Sequence, residues 1–303
     1  MTSHSASVNN QDLILGCVRG LSLSHVRPFV RSLRGTNFRG HCLFFSNNID
    51  SQTLQFLQDN QIETADFFYW DFKNHNPFLI GWFFWKRLLP LIKSRDRQLR
   101  VARLFWHFFY LRFLLARNYI LENPQFSRIM LTDVRDVYFQ LDPFLWLPPS
   151  EGVYCFAEHS GRLIGNCPNN SRMIREVFGE EGLQKIQQFQ IYCAGTIIGT
   201  RSALLQYLER FLDLALAGIN LWPFRGGDQG IHNWIIHFEQ LPLLKPLGNE
   251  GPVFTMGCVP KEQILQDSKG QVFNHKGDIF PVLHQYDRFK DVSRSLPFYE
   301  LPE

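Results

Sequence analysis

The sequence predicts an α/β fold, with a mostly parallel central sheet and helices on both of its faces. Three observations lead to this prediction. Apolar runs of strand length alternate with helical stretches over about the first 70 residues, which is the order of a parallel sheet. A later apolar run ends in two acidic residues. The 303-residue chain is 45% hydrophobic and 19% charged, so it can bury a full core.

The first half of the chain follows a β-α-β-α-β pattern and then becomes strongly apolar. Its predicted strands cover residues 13–18, 40–45 and 64–69, and a further strand ends at Asp133. Its predicted helices cover residues 24–33, 54–60, 77–93 and 97–121. The last two helices are apolar nearly all round, so we expect them to be buried or to lie against a pocket.

The second half continues with strands and helices in alternation. Its predicted strands cover residues 152–157, 196–199 and 281–286. Its predicted helices cover residues 171–188, with a break near Gly179, 203–217 and 228–238. No repeat, low-complexity segment or linker interrupts this pattern, so we predict one domain over residues 1–303, with a disordered polar tail at 1–11.

The net charge and the spacing of the cysteines indicate which kinds of ligand and site the chain can have. A net charge of +3 suits an anionic small ligand, but no basic cluster is dense enough for a nucleic-acid binder. The six cysteines are scattered without a CxxC pair, which excludes a disulfide framework or a zinc site. Residues 1–11 lack an apolar signal core, and the hydrophobic stretch 101–116 is too short and too charged to span a bilayer. We expect a cytoplasmic protein, with a peripheral position at a membrane left open.

The acid pair Asp133 and Asp136 is the strongest functional signal in the chain. Both acids follow a buried strand, at the edge where open α/β sheets bind their ligands. Two carboxylates there are costly to desolvate unless a cation lies between them, and a divalent ion carrying a phosphorylated substrate would meet that need. The alternative is structural: Asp133 would form a turn, and Asp136 would pair with Arg135 or Arg128 at the surface.

Other polar residues follow predicted elements or lie within them. Asp228, Gln229 and Asn233 come after two glycines, where Asp228 could simply cap a helix. Gly195 belongs to a small-residue turn, Cys193–Gly195, before the strand predicted over 196–199, and His284 lies near the end of the last predicted strand. His284 could instead be a hydrogen-bonded core residue, and His275 is its rival as a metal ligand. Arginines that could meet a phosphorylated ligand are Arg19, Arg103 and Arg112.

The order of these motifs resembles nucleotide-diphospho-sugar glycosyltransferases of the GT-A fold. The run Leu131–Tyr138 is similar to their Asp-x-Asp motif, although its acids are three apart instead of two, and Asp228-Gln229 looks like the pair in glycogenin-type retaining enzymes. The resemblance implies that Asp133, Asp136 and His284 bind a metal and that Asp133 also contacts the ribose or donor sugar. It further implies that Asp228 holds sugar hydroxyls, that Gln229 lies beside the reacting carbon and that Gly195 packs against the sugar. The arginines would meet the nucleotide (Arg19) and the diphosphate or acidic site (Arg103, Arg112).

The resemblance implies a single GT-A-like domain with two functional halves. Residues of about 12–140 would form a Rossmann-like nucleotide-binding half, and residues of about 141–290 a sugar and acceptor half. The expected activity is transfer of a sugar, with retention, from a nucleotide-diphosphate donor to a hydroxyl of a glycan, lipid or small molecule. The expected cofactor is Mn²⁺ or Mg²⁺. The alternatives are a nucleotide-sugar hydrolase or pyrophosphatase and a non-catalytic nucleotide-sugar-binding protein.

Overall fold

The protein was analysed as a computed structural model, which describes residues 11–69, 87–148, 150–218 and 227–299. Over these residues the chain forms one large sheet and two small ones. The strands of the large sheet are β1 (Asp12–Arg19), β2 (His41–Asn47), β3 (Glu63–Asp66), β4 (Arg128–Thr132), β6 (Val153–Ala157), β7 (Tyr192–Thr200) and β8 (Leu244–Leu247). The strands of the small sheets are β5 (Val137–Phe139), β9 (Val253–Thr255), β10 (Leu265–Gln266), β11 (Val272–Phe273) and β12 (Val282–His284).

The seven strands of the large sheet lie in the order β3-β2-β1-β4-β7-β6-β8. All neighbouring pairs are parallel except those that involve β7, which is antiparallel to both β4 and β6. The prediction of a mostly parallel central sheet is therefore confirmed. Because β7 runs the other way, its first residues lie at the same edge as the carboxyl ends of β1, β4 and β6.

Helices cover both faces of the large sheet, as predicted. They are α1 (Leu23–Gly35), α2 (Ser51–Asp59), α3 (Arg95–Phe105), α4 (Phe108–Glu122), α5 (Pro168–Ile186), α6 (Arg201–Ala217), α7 (Gly227–Phe238) and α8 (Lys290–Ser295). Alternate residues of β1 pack to opposite sides: Leu13 and Leu15 lie in the core with α4 and α6, whereas Ile14 and Val18 lie in the core with α1. This alternation is the period of a strand buried on both faces.

A three-stranded sheet of order β5-β12-β9 lies beside the carboxyl edge. Four residues separate its strand β5 from β4, so the connection 133–136 joins the two sheets. The strand predicted over 281–286 is β12, which pairs antiparallel with β5 and parallel with β9 rather than with the large sheet. The end of β12 therefore faces the acids between β4 and β5.

Several element boundaries differ from the prediction. The helix predicted over 97–121 is two helices, because His107 has an extended backbone and its ring Nδ1 accepts a hydrogen bond from the Phe109 N–H at 3.3 Å. The small-residue turn predicted at Cys193–Gly195 lies inside β7, which is longer than the strand predicted over 196–199, and the strand predicted over 64–69 ends at Asp66. The predicted break near Gly179 is present as a kink in α5, with φ 73°.

Two predicted segments fall largely or wholly outside the described residues: the tail 1–11 and most of the helix 77–93. Among the residues that are described, no helix is long and apolar enough to cross a membrane.

Candidate functional site

The connection between β4 and β5 holds both acids of the motif in place through the backbone. The N–H of Asp133 donates to the Gly195 carbonyl on β7 at 2.7 Å. The carbonyl of Asp136 accepts from the Gln285 N–H at 2.7 Å, just beyond the end of β12. One acid is thereby tied to the large sheet and the other to the small sheet. This arrangement brings the two acids together although they are three residues apart.

His284 completes a group of three potential metal ligands. Its Nε2 lies 3.7 Å from Asp133 Oδ2 and 3.8 Å from Asp136 Oδ1, and the three ligand atoms all lie within 4.8 Å of one another. The ring is 1% exposed, and its Nε2 has no hydrogen-bond partner among the described residues. On the other side of the ring, Nδ1 lies 3.5 Å from Thr255 Oγ1, which orients Nε2 toward the acids.

The space between these ligands depends on Gly195. A Cβ atom at this position would lie 2.5 Å from Asp133 Oδ2 and 2.6 Å from His284 Nε2. Any larger residue would therefore fill the volume between the carboxylate and the imidazole. Two carboxylates and one imidazole around such a volume suit a divalent cation such as Mn²⁺ or Mg²⁺.

The charges in this cluster are poorly balanced. Burial raises the pKa of Asp136 to about 6, since neither His284 nor any other nearby positive group fully offsets the loss of solvent. Burial also acts on Asp133, but the Arg112 guanidinium and His284 outweigh it and lower the pKa of that carboxyl to about 2. Burial opposes the charged form of His284 too, yet the Cys193 sulfur and the Asp133 carboxylate raise its pKa well above the usual value. A divalent cation would relieve this imbalance.

Neither arginine of the structural alternative pairs with Asp136. Arg128 binds Asp12 through its Nη2 at 2.5 Å, and Arg135 lies 3.5 Å from Asp287. The Asp136 carboxylate is therefore not neutralised by either of the arginines with which the structural alternative would pair it.

Arg112 on α4 joins the acid motif to the first turn of α7. Its Nη1 donates to Asp133 Oδ1, and its Nη2 donates to Asp228 Oδ2 at 2.9 Å and to the Ala194 carbonyl at 3.2 Å. Burial disfavours the guanidinium charge, but the two carboxylates raise the pKa of Arg112 above its usual value. Burial raises the pKa of Asp228, which is 5% exposed. Asp228 thus binds an arginine in the site rather than serving only as a helix cap.

Gln229 points to a different group of polar residues from Asp228. Its Nε2 donates to Asn170 Oδ1 at 2.8 Å and to Glu158 Oε1 at 3.3 Å. The Cys193 thiol lies 3.6 Å from Gln229 Oε1 and donates to it. The first turn of α7 therefore connects the ion pairs of Arg112 with the end of β6, where Glu158 lies.

Asn233 has a structural part in this arrangement. Its Oδ1 accepts from the Tyr192 N–H at 2.8 Å, and its Nδ2 donates to the carbonyls of Tyr192 and Gln229, both at 2.8 Å. These bonds fix α7 against the start of β7. Asn233 therefore positions Gln229 rather than facing a ligand.

Arg19, Arg103 and His275 are the other candidates that the sequence suggested. Arg19 ends β1, and its guanidinium stacks 4.3 Å from the centre of the Tyr69 ring. Arg103 is exposed on α3, so the expectation that it shares a helix with Arg112 is wrong. His275 is exposed at the mouth of a separate cavity, which leaves His284 as the histidine beside the acids.

The sequence interpretation missed two buried residues of the site. Glu158 directly follows the apolar strand β6 and is 5% exposed, so the signal that identified Asp133 could also have identified it. Gln285 has a left-handed backbone with φ 58°, and its Oε1 is buried without a hydrogen-bond partner among the described residues. No sequence signal predicts that conformation for a glutamine.

A cavity of about 290 Å³ lies next to Glu158. Three phenylalanines form part of its wall: Phe254, Phe273 and Phe280. Its polar lining includes His159, Gln263 and Asn274. His159 follows Glu158 in the chain, so the cavity and the end of β6 are adjacent.

Comparison with known proteins gives structural but not sequence relatives. No family model matches the chain, and no curated protein matches it in sequence. Among solved structures, core-mannan synthase A of Aspergillus fumigatus, in its Mn/GDP form, is 12% identical with a TM-score of 0.45 and covers 82% of this chain and 74% of its own. A glycosyltransferase involved in glycosylation of the major capsid of PBCV-1 is 8% identical with a TM-score of 0.40, covering 93% and 98%.

Galactosyltransferase LgtC, in complex with donor and acceptor sugar analogues, is 12% identical with a TM-score of 0.48 and covers 96% of this chain and 98% of its own. Of these three structures, the two that cover more than nine-tenths of both chains are described as glycosyltransferases. Identities this low leave the substrates and the chemistry of this chain to be argued from its own site.

Proposed function

We propose that this protein is a metal-dependent glycosyltransferase, which moves a sugar from a nucleotide-diphosphate donor to an acceptor hydroxyl. One observation carries the proposal: the buried Nε2 of His284, which has no hydrogen-bond partner among the described residues, faces two carboxylates across a space that Gly195 keeps open. In this proposal Asp133, Asp136 and His284 hold Mn²⁺ or Mg²⁺. The bound cation would stabilise the charge that collects on the departing diphosphate.

The transfer step requires a hydroxyl oxygen to attack the anomeric carbon of the donor sugar. The bond from that carbon to the diphosphate oxygen breaks, and its electron pair stays with the diphosphate. The hydroxyl proton passes to the departing phosphate oxygen. The Arg112 guanidinium, held between Asp133 and Asp228, favours the ionised form of both carboxylates and holds them in position to accept hydrogen bonds from the donor sugar.

We assign Gln229 to the reacting centre and propose retention at the anomeric carbon. The acid that the Gln229 side chain contacts is Glu158, whose two oxygens are engaged by the Gln229 amide and, at 3.7 Å, by the Cys258 thiol. Glu158 is therefore not a free base for an inverting attack. The anomeric configuration of the product, read by proton NMR, would distinguish retention from inversion.

The cavity beside Glu158 suits the acceptor in this proposal. Aromatic walls favour the apolar face of a sugar ring, and amide and imidazole groups at the mouth favour its hydroxyls. No lysine or arginine lines the cavity among the described residues, so a neutral saccharide fits it better than an anionic acceptor.

The decisive experiment measures thermal stability with a panel of nucleotide diphosphates and nucleotide sugars, with and without Mn²⁺. A donor that binds only the native state should add about 2.7 kcal/mol at a hundred times its dissociation constant. The shift should need metal and nucleotide together, should disappear in Asp136→Ala and should persist in the exposed control Asp59→Ala. No shift with any pair would overturn the proposal.

The nucleotide sugar identified in this way then serves in a turnover assay with neutral saccharide acceptors. Transfer predicts nucleotide release that depends on the acceptor. Release without an acceptor would indicate a hydrolase, and binding without release would indicate a binding protein of the same fold.

A further inference from the structure

Another feature of the surface is formed by the segment 87–105, which leads into and includes α3. We call its solvent-facing side the α3 face. Six of its 19 residues are basic and one is acidic. The whole chain has 31 basic and 28 acidic residues, so its excess positive charge is concentrated in this short segment.

Four cations of the α3 face are exposed: Lys93, Arg97, Arg100 and Arg103. In the part of the chain that the structure describes, none of them forms an ion pair or a side-chain hydrogen bond with an acidic residue. Their charge is therefore available to an external partner.

Large apolar side chains are exposed among these cations. Leu91 is 73% exposed, Leu104 is 49% exposed and Leu88 is 43% exposed. Leu91 and Val101 line a shallow surface depression together with Arg97 and Arg100. Exposed leucines between basic residues are typical of helices that lie in a membrane interface.

The opposite side of α3 attaches it firmly to the protein. Arg95 donates to Asp213 on α6 at 2.5 Å and forms an ion pair with Glu209 at 2.7 Å. Leu99 and Ala102 are buried in the main core. The cations and leucines are therefore presented outward by a helix whose inner side is already packed.

We propose that the α3 face docks the protein on a membrane surface rich in anionic phospholipids. The cations fit the phosphate and carboxylate headgroups, and the leucines fit the boundary between headgroups and acyl chains. Nucleic acid would match the charge but not the leucines. A second copy of the chain would bring two basic surfaces together, which repel each other. This inference is independent of the proposed enzyme activity.

The test is co-sedimentation of the full chain with vesicles of phosphatidylcholine alone and with one quarter phosphatidylserine. Binding should require phosphatidylserine and weaken at high salt. The double variant Arg97→Gln, Arg100→Gln should lower the partition coefficient about thirtyfold, since each cation near such a surface contributes roughly 1 kcal/mol. Leu91→Ser should also weaken binding, and its effect should persist at high salt.

The matched control is Lys290→Gln, Arg294→Gln, which removes two exposed cations from α8 and should leave vesicle binding unchanged. Melting curves show whether each variant is folded. Equal binding to both kinds of vesicle, equal losses in the control, or no effect of Leu91→Ser would overturn the proposal. Binding of a single-stranded RNA probe by the wild type without vesicle binding would overturn it in favour of nucleic acid.

Discussion

At Asp136 the structure conflicts with the chemistry of a carboxylate, because the buried surroundings disfavour its ionised form. Its carboxyl is 22% exposed and lies close to two other acids, Asp133 and Asp287. Burial raises its pKa to about 6, so at neutral pH the folded protein must carry an unfavourable charge there. Such conflicts are common at functional sites, where a ligand supplies the missing compensation.

Replacing Asp136 with asparagine should therefore stabilise the metal-free protein. The folded-state pKa is above that of the unfolded chain, so the stability contributed by this group is complete below about pH 4 and is lost as the pH rises through 6. At pH 7.5, Asp136→Asn should raise the free energy of unfolding by about 1–2 kcal/mol, and at pH 4 it should match the wild type. Urea unfolding at both pH values measures this. A variant less stable than the wild type at pH 7.5 would contradict the reasoning.

Gly195 controls the space for the cation in a different way. In Gly195→Ala the new methyl group would overlap Asp133 Oδ2 and His284 Nε2, so the site should lose metal binding while β7 stays intact. We expect at least a tenfold weaker Mn²⁺ affinity by isothermal titration calorimetry. In the control Gly248→Ala, the added methyl group meets nothing within 4 Å and the affinity should not change.

At the scale of elements, the order of the longer strands and helices could be read from the sequence, but the short strands β5 and β8–β11, the short helix α8, the breaks and the strand directions could not. The residues between α3 and α4 are Trp106 and His107, so neither glycine nor proline marks the end of the helix. Likewise, the apolar run of β7 predicts a strand but not that it is antiparallel to its neighbours. The reversed strand places Cys193–Gly195 beside the acids; the sequence predicted these residues at the site, but as a turn rather than as part of a strand.

The site was predictable to the extent that its side chains follow apolar runs. Asp133 and His284 lie at strand ends, and this position identified both. Gln285 was missed because its conformation depends on contacts with a distant segment, namely the bond of its N–H to the Asp136 carbonyl. Ion pairs such as Arg112 with Asp228 join residues 116 positions apart, and no local pattern predicts them.

The connection between α7 and β7 provides a test at this scale. Asn233→Ala would remove the bonds that its side chain makes to both backbone groups of Tyr192, which are partly buried. We expect a loss of about 2–4 kcal/mol in the free energy of unfolding by chemical denaturation. Asn118→Ala, which removes only a contact with the neighbouring Arg117, should cost less than about 1 kcal/mol.

For the whole molecule, the proposed ligands link two sheets. Asp133 follows the large sheet, whereas His284 ends β12 of the small sheet. Metal binding should therefore stabilise the small sheet in particular. At a hundred times the dissociation constant of Mn²⁺, hydrogen exchange in β12 and β5 should slow by up to about a hundredfold. Amides of α2 and β3, which are remote from the ligands, serve as the internal control. Equal slowing of hydrogen exchange in all elements would contradict the link between the two sheets.

Metal affinity should also depend on pH across the neutral range. The cation competes with protons on His284, whose pKa is raised, and on Asp136, whose pKa is about 6. Below pH 6 both protons must leave, so the apparent dissociation constant should rise by up to about a hundredfold for each unit of acidification. Titrations of Mn²⁺ at pH 5.0, 6.0 and 8.0 measure this. An affinity that is constant from pH 5 to 8 would exclude these two residues as ligands.

The charges around Arg112 have a consequence for the order in which metal and donor bind in the proposed glycosyltransferase. Three carboxylates (Asp133, Asp136 and Asp228) against the Arg112 guanidinium and a protonated His284 leave an excess of one negative charge when all the acids are ionised. A polyanionic donor approaching the bare site would be repelled, whereas one divalent ion, which takes the place of the His284 proton, brings these groups to neutrality. We therefore expect an ordered binding mechanism, in which the ion binds before the donor or together with it. The product diphosphate would dissociate more slowly while the ion stays bound, so dissociation of the ion would limit the rate of product release.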